Sequence, residues 1–206
     1  MKFSVVQTAI VIPVLFFFSC SNPQSTGEQT KNGEQKASGI FSLKPHFGPT
    51  ETNYYVADSI AGHIHVPHIN QEIKWPEHPG GSMFRKTNNL GFKEDENTKT
   101  EKPAGDFRAI ITGDSPIDGV INNSESYPNQ LEKLFNEKTG NGRHYEFINA
   151  GAGYYGPQNY FGVFNRFKNL KPDMFVATIY TGNDFLDAVR IEDENGRLKT
   201  PERKDD

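Results

Sequence analysis

Phe107 to Gly119 reads FRAIITGDSPIDG. Its first half, Phe107 to Thr112, is an apolar run of strand length, rich in residues that favour extended backbone. Gly113-Asp114-Ser115-Pro116 then breaks the run. Helix signals follow over 124–137: Ser124 or Ser126 can cap, Pro128 suits a first turn, and Leu131, Leu134 and Phe135 share one face. Gly140 marks the stop. Strand, tight turn and helix together open a β-α-β unit.

The same pattern repeats downstream. Tyr145 to Ile148 (YEFI) predicts a second strand, and Tyr160, Val163, Phe164 and Phe167 have the spacing of a buried helix face. Lys171-Pro172-Asp173 ends that helix, and Met174 to Tyr180 (MFVATIY) predicts a third strand, apolar almost throughout. Continuous apolar strands alternating with helices predict an α/β fold, a parallel sheet covered on both faces. Such sheets bind ligands beyond the carboxyl ends of their strands.

Three chemistry-bearing features fall at that end. Ser115 sits in the strand-to-helix turn after the first strand, where a nucleophilic serine is exposed and close to backbone N–H groups. Asn149-Ala150-Gly151-Ala152-Gly153-Tyr154-Tyr155-Gly156 follows the second strand, a turn whose amides can approach a ligand. Gly182-Asn183-Asp184 follows the third, and the Asn183 amide is a neutral donor suited to a developing oxyanion.

These blocks resemble the SGNH, or GDSL-type, hydrolase superfamily. Gly113 to Gly119 matches its GDS-x-x-x-G block, Ile148 to Gly156 its glycine turn, and Gly182 to Asp184 its GND block. Glu125-Ser126-Tyr127-Pro128, Lys171-Pro172-Asp173 and the segment from Asn88 or Asn89 to Phe92 are similar to further stretches of that family. The resemblance spans about 88–186. It implies a three-layer α/β/α sandwich of flavodoxin-like type, with sheet order 2-1-3-4-5. It implies Ser115 as nucleophile, and an oxyanion hole from the Ser115 amide, an amide of the Gly153–Tyr154 turn and the Asn183 side chain. The family's oxyanion glycine falls on Tyr154, with Gly153 one step away. Asp114 and Asp184 would order their turns rather than do chemistry.

The family's general base is a histidine in an Asp-x-x-His block well downstream of the third block, and 185–206 hold no such block. The chain is therefore expected to be the front part of a longer protein, with the far edge of its third strand open. His144 precedes the second strand, at the end of the sheet away from Ser115, and His46, His63, His65, His68 and His78 lie upstream of the first strand. Alternate histidines in His63-Ile64-His65-Val66-Pro67-His68 would face one way on a strand. Without an acidic residue in the motif, and with Pro67 breaking it, they read as surface or partly buried imidazoles. Tyr154-Tyr155 reads as packing at the top of the sheet, with sugar stacking as its functional alternative.

Upstream of the sheet, 40–105 shows short apolar pieces between Gly, Pro and Asn punctuation, a small irregular lobe. Lys93 to Gly105 reads as an exposed connector into the hydrolase part, 106–206. Residues 20–39 contain no large apolar side chain and read as a flexible tether. Residues 1–19 read as a leader: Lys2 supplies a positive n-region, and Val5 to Phe18 form an apolar run too short to span a bilayer comfortably. Cys20, the only cysteine, stands behind Ser19 in an arrangement that resembles the lipobox of bacterial lipoproteins. That resemblance implies lipidation at Cys20 and an exported protein of the cell envelope, held to a membrane by its lipid.

The formal charge of −4, from 22 Lys and Arg against 26 Asp and Glu, comes with no basic stripe interleaved with aromatics, so nucleic acid is not an expected partner. Neither a cofactor nor a metal ion is expected. The expected activity is hydrolysis or transfer of an acyl ester on a small molecule or an O-acylated glycan. The alternative is a catalytically inactive envelope lipoprotein that uses the same fold to bind glycans or a protein partner.

Overall fold

The computed structural model of the chain describes residues 13–14, 43–45, 53–194 and 196. Cys20, the 20–39 tether and His46 lie outside the described residues, as does the leader apart from Pro13–Val14. In chain order the elements are β1 (Pro13–Val14), β2 (Tyr55–Asp58), β3 (Gly62–His65), β4 (Asn70–Lys74), β5 (Ser82–Lys86), β6 (Phe107–Gly113), α1 (Ser115–Asp118), α2 (Tyr127–Lys138), β7 (Tyr145–Asn149), α3 (Pro157–Phe167), β8 (Met174–Thr178) and α4 (Asp184–Glu194).

The apolar run at Phe107 forms the central strand. β6 pairs in parallel with β7 on one side, Ile110 opposite Ile148, and with β8 on the other, Ile110 opposite Phe175. The sheet order is β1-β8-β6-β7. Alternation along β6 sends Ile110 to one face, where it joins Ile148 and the α3 residues Tyr160, Val163 and Phe167. Ala109 and Ile111 turn to the other face, against Phe147, Ile117 of α1 and Leu131 of α2. Helices thus flank the parallel sheet on both faces. The far edge of β8, open by the sequence alone, is met by Pro13–Val14, which pairs antiparallel with Ala177 and Thr178.

Several local expectations shift. The helix expected from Ser124 starts at Tyr127. Asn123–Glu125 instead forms a 3-10 turn, and the Ser126 hydroxyl accepts from the Asn129 N–H. Of the expected α2 face, Leu131 packs on the core and Phe135 lies against the rings of Tyr145 and Phe147, whereas Leu134 is 48% exposed. The third strand stops at Thr178, because the Tyr180 N–H is taken by the Asp184 carboxylate at 2.7 Å.

Within 40–105 the described residues form two hairpins, β2–β3 and β4–β5. Tyr55, Ala61 and Phe92 belong to the same apolar cluster as Ile110, Ile148 and Val163. Asn88 organises the turn that brings Phe92 in. Its Oδ1 accepts from the N–H groups of Leu90 and Phe92, and its Nδ2 donates to Thr98. The expected exposed connector begins with a lysine, Lys93, that is 0% exposed.

Glu94, next along, sits under the end of β7. It accepts from the Asn149 N–H at 2.6 Å and from Asn129 Nδ2 at 2.9 Å. Burial, reinforced by the charges of Glu132 and Glu146 against these hydrogen bonds, pushes its carboxyl up to about 8. A raised acid pKa means that the folded state holds a proton the unfolded chain has lost. Its contribution is complete below about pH 4.5 and disappears as pH rises through about 8. Glu94→Gln is therefore expected to flatten the decline in stability between pH 5 and pH 9. The gain at pH 9 should be on the order of 2 kcal/mol, discounted for the part of the side chain that water reaches. Urea melts across that range check it; a wild-type slope in the variant refutes it.

Candidate active site

The three sequence blocks converge because glycines let their backbones touch. A Cβ on Gly113 would lie 2.5 Å from Ile117 Cγ1 and 3.0 Å from the Thr178 carbonyl, and one on Gly151 would lie 2.6 Å from Ile117 Cγ2. Only glycine allows β6, α1 and the turn after β7 to approach so closely. Polar groups then stitch them together. Asn149 accepts from the Gly151 N–H and donates to the Ile117 carbonyl, and the Thr112 hydroxyl donates to the Ala150 carbonyl. The third block joins through Asn183, whose Nδ2 donates to Asp114 at 2.8 Å and to Asp187 at 2.6 Å.

The result is a single open cleft of about 510 Å³ at the carboxyl end of the sheet, lined by Ser115, Gly153, Tyr154 and Asn183 among others. Ser115 is exposed, on the first residue of α1. Tyr154 has φ 68°, the left-handed region in which a residue with a Cβ is strained. That is the position where the resemblance puts a glycine, so the backbone conformation there is glycine-like although the residue is not. Tyr155 is buried in the core beside Tyr160, whereas Tyr154 stays in the cleft.

Two of the expected oxyanion donors are engaged elsewhere. The Gly153 N–H donates to Asp118 Oδ2 at 3.0 Å, and both N–H bonds of Asn183 point at carboxylates. Among the described residues, the Ser115 N–H makes no hydrogen bond. Asp184 accepts from the Tyr160 hydroxyl and the Tyr180 N–H. Burial, with the nearby charges of Asp114 and Asp187, outweighs these bonds and raises its carboxyl. Asp114, Asp184 and Asp187 bring one carboxylate oxygen each within 4.8 Å of one another, the group among the described residues that could hold a metal ion.

Asp118, in the last turn of α1, is the hub that the sequence did not reveal. Its Oδ1 faces His65 Nε2 at 3.1 Å and Lys93 Nζ at 3.3 Å; its Oδ2 accepts from the Tyr55 hydroxyl at 2.8 Å and from the Gly153 N–H. Lys93 also donates to the carbonyls of Asp118 and Gly119. Burial works to raise the Asp118 carboxyl, but the charges of His65 and Lys93 and the His65 hydrogen bond win, and hold it well below the usual range. Burial lowers the Lys93 ammonium, with Asp118 opposing, and raises the Tyr55 phenol, helped by Asp118, so Tyr55 remains a donor.

No protein-family model and no curated protein matches this chain.

The histidines occupy different places from those the sequence suggested. His63 and His65 are 0% and 2% exposed, not surface imidazoles. Both point from β3 into the site's underside, where His63 Nε2 donates to the Gly153 carbonyl at 2.9 Å and its own carbonyl accepts from the Tyr155 hydroxyl. Among the described residues, none of the histidines lines the Ser115 cleft. His144 is largely exposed at the start of β7 beside Asp106, and His78 pairs with Glu125. The sequence reading thus missed Tyr55, His65, Lys93 and Asp118, which hold the Gly153 turn from beneath. It also missed Arg85 and Arg190, which line the cleft. One available signal was Asp118 itself, an acid inside the GDS-x-x-x-G block that needed a buried cation.

Proposed function

We propose that this chain carries the nucleophile and oxyanion side of an SGNH-type serine esterase or acyltransferase, on a flavodoxin-like α/β/α fold, acting on an O-acylated glycan or small acyl ester in the cell envelope. The observation that carries the reading is convergence. Four residues chosen from three separate sequence blocks, Ser115, Gly153, Tyr154 and Asn183, border one cleft. The glycine-like φ of Tyr154 adds to it, since it falls where the resemblance needs a glycine.

In this reaction the Ser115 oxygen bonds to the acyl carbon as its proton passes to a base, and the carbonyl oxygen takes up negative charge. The Ser115 amide and the turn at Tyr154 face that charge. Asn183 joins them when its amide turns from Asp114 or Asp187 toward the oxyanion, the better acceptor at that moment. Collapse expels the alcohol, and water or a second alcohol then releases the acyl group from Ser115. By the resemblance, the proton carrier is a histidine of an Asp-x-x-His block. A fluorophosphonate probe tests the reading: applied in the membrane to a full-length form that supplies the Asp-x-x-His block, it should yield one adduct, mapped by mass spectrometry to Ser115. An adduct on another residue, or none, removes the nucleophile.

One observation favours the non-catalytic reading, a glycan- or partner-binding protein: Gly153 and Asn183 already spend their N–H groups on carboxylates. Glycan binding without any Ser115 adduct would decide for it.

The site is proposed to be held at a membrane through lipid on Cys20. Among the described residues, no helix is long and apolar enough to cross a membrane. Cys20→Ala is expected to lose all label from a fatty-acid probe and to leave the membrane fraction, because several acyl chains at about 0.8 kcal/mol per buried methylene are needed for firm anchoring. Equal labelling of variant and wild type would refute it.

A further inference from the structure

The cleft holds an arginine whose donors are unspent. Five charged side chains border it: Asp114, Asp118 and Asp187 against Arg85 and Arg190. Every carboxylate is answered. Asp118 has Lys93, His65, Tyr55 and the Gly153 N–H; Asp114 has Asn183; Asp187 has Asn183 and Arg190, the last at 2.7 Å. Arg85 is different. It rises from β5, partly buried, and its guanidinium lies 4.2 Å above the Tyr54 ring. Its Nε is buried and has no hydrogen-bond partner, and among the described residues the Arg85 side chain forms no hydrogen bond and no ion pair. Stacking on an aromatic face fixes the plane of a guanidinium and leaves its edge, the forked donor set, to be used by an acceptor.

We propose that Arg85 is the recognition point for an anionic group, a carboxylate or a sulfate, on the molecule that enters the Ser115 cleft. A guanidinium held in place and desolvated on one side gives up little further freedom when it binds, and its planar fork suits two oxygens of one anion. The Asp118 carboxylate does not fill this role, because its own four donors hold it toward the underside of the site. Combined with the esterase reading, on which this part rests, the substrate class becomes an acyl ester on an acidic saccharide or similar anionic alcohol. Arg85 is then a specificity residue, which leaves the bond-making to Ser115.

Calorimetric titration tests it on the full chain carrying Ser115→Ala, so that bound ester stays intact. Three ligands of equal length serve: an acetylated uronate oligosaccharide, an acetylated sulfated oligosaccharide and an acetylated neutral one. The expected result is that at least one anionic ligand binds roughly ten- to a hundredfold more tightly than the neutral one. Arg85→Gln should bring the ratio of anionic to neutral affinity down to about one, and Arg85→Lys should restore part of it. Which anionic ligand is preferred identifies the anion. Equal affinity for all three, no binding of any, or a preference that survives Arg85→Gln in a variant that melts like its parent overturns the proposal. The esterase reading fails separately: an Arg85-dependent preference in a protein whose Ser115 never takes a fluorophosphonate keeps anion recognition and discards the chemistry.

Discussion

In a full-length form that supplies the histidine, Ser115→Ala is expected to lower ester turnover by about 10⁴-fold or more, and to abolish the fluorophosphonate adduct, while leaving thermal stability within about 0.5 kcal/mol of wild type. The stability half of the expectation follows from exposure: the Ser115 hydroxyl supports no described hydrogen bond, so its removal breaks nothing in the fold. The activity half follows from chemistry, because the remaining donors can stabilise an oxyanion but cannot form the acyl intermediate. Asn183→Ala gives the contrast. As an oxyanion donor it should cost about 10²- to 10³-fold in turnover. As a clamp between Asp114 and Asp187 it would also lower stability, since it leaves two buried carboxylates facing each other. Turnover of an acetyl ester by that full-length form, measured beside melting curves of each variant, separates these effects. Undiminished turnover by Ser115→Ala would show that another residue is the nucleophile.

Asp118→Asn is expected to destabilise the fold by about 3–5 kcal/mol, the usual result of removing one partner of a buried ion pair. The change is nearly isosteric, so lost packing is not the cause. Lys93 is fully buried, and its ammonium would then face only the carbonyls of Asp118 and Gly119. His65, Tyr55 and the Gly153 N–H would lose a charged acceptor together. Adding Lys93→Met should recover much of the loss by removing the stranded charge; chemical denaturation of both single variants and the double variant gives the coupling. If Asp118→Asn alone costs under about 1 kcal/mol, Asp118 does not anchor Lys93, His65 and Tyr55. The pH dependence has a definite sign. Asp118 is held below its unfolded pKa, so its contribution is present above that pKa and is lost only as pH falls through the lower folded value. Mild acid should therefore leave this network intact, unlike the loss expected at Glu94 on the alkaline side.

The sequence by itself determined the three parallel strands and placed Ser115, Gly153, Tyr154 and Asn183 at their carboxyl end. Apolar strands such as Phe107 to Thr112, and helix faces such as Tyr160, Val163 and Phe167, announce themselves through spacing, because burial of a regular element imposes a period on its own residues. Glycines and short polar residues mark the turns for an equally local reason: a backbone that must approach another backbone cannot carry a Cβ, as at Gly113 and Gly151. What only the tertiary structure decided is the meaning of 40–105 and the state of the site. Tyr55, His65 and Lys93 meet Asp118 across 63, 53 and 25 positions of sequence, and a polar residue that is buried for the sake of a distant partner leaves no periodic trace. The same reason hid the alignment of Asn183 with Asp114 and Asp187, and the stacking of Arg85 on Tyr54. Hydrophobic order is written along the chain, but the pairing of buried charges exists only after the chain has closed on itself.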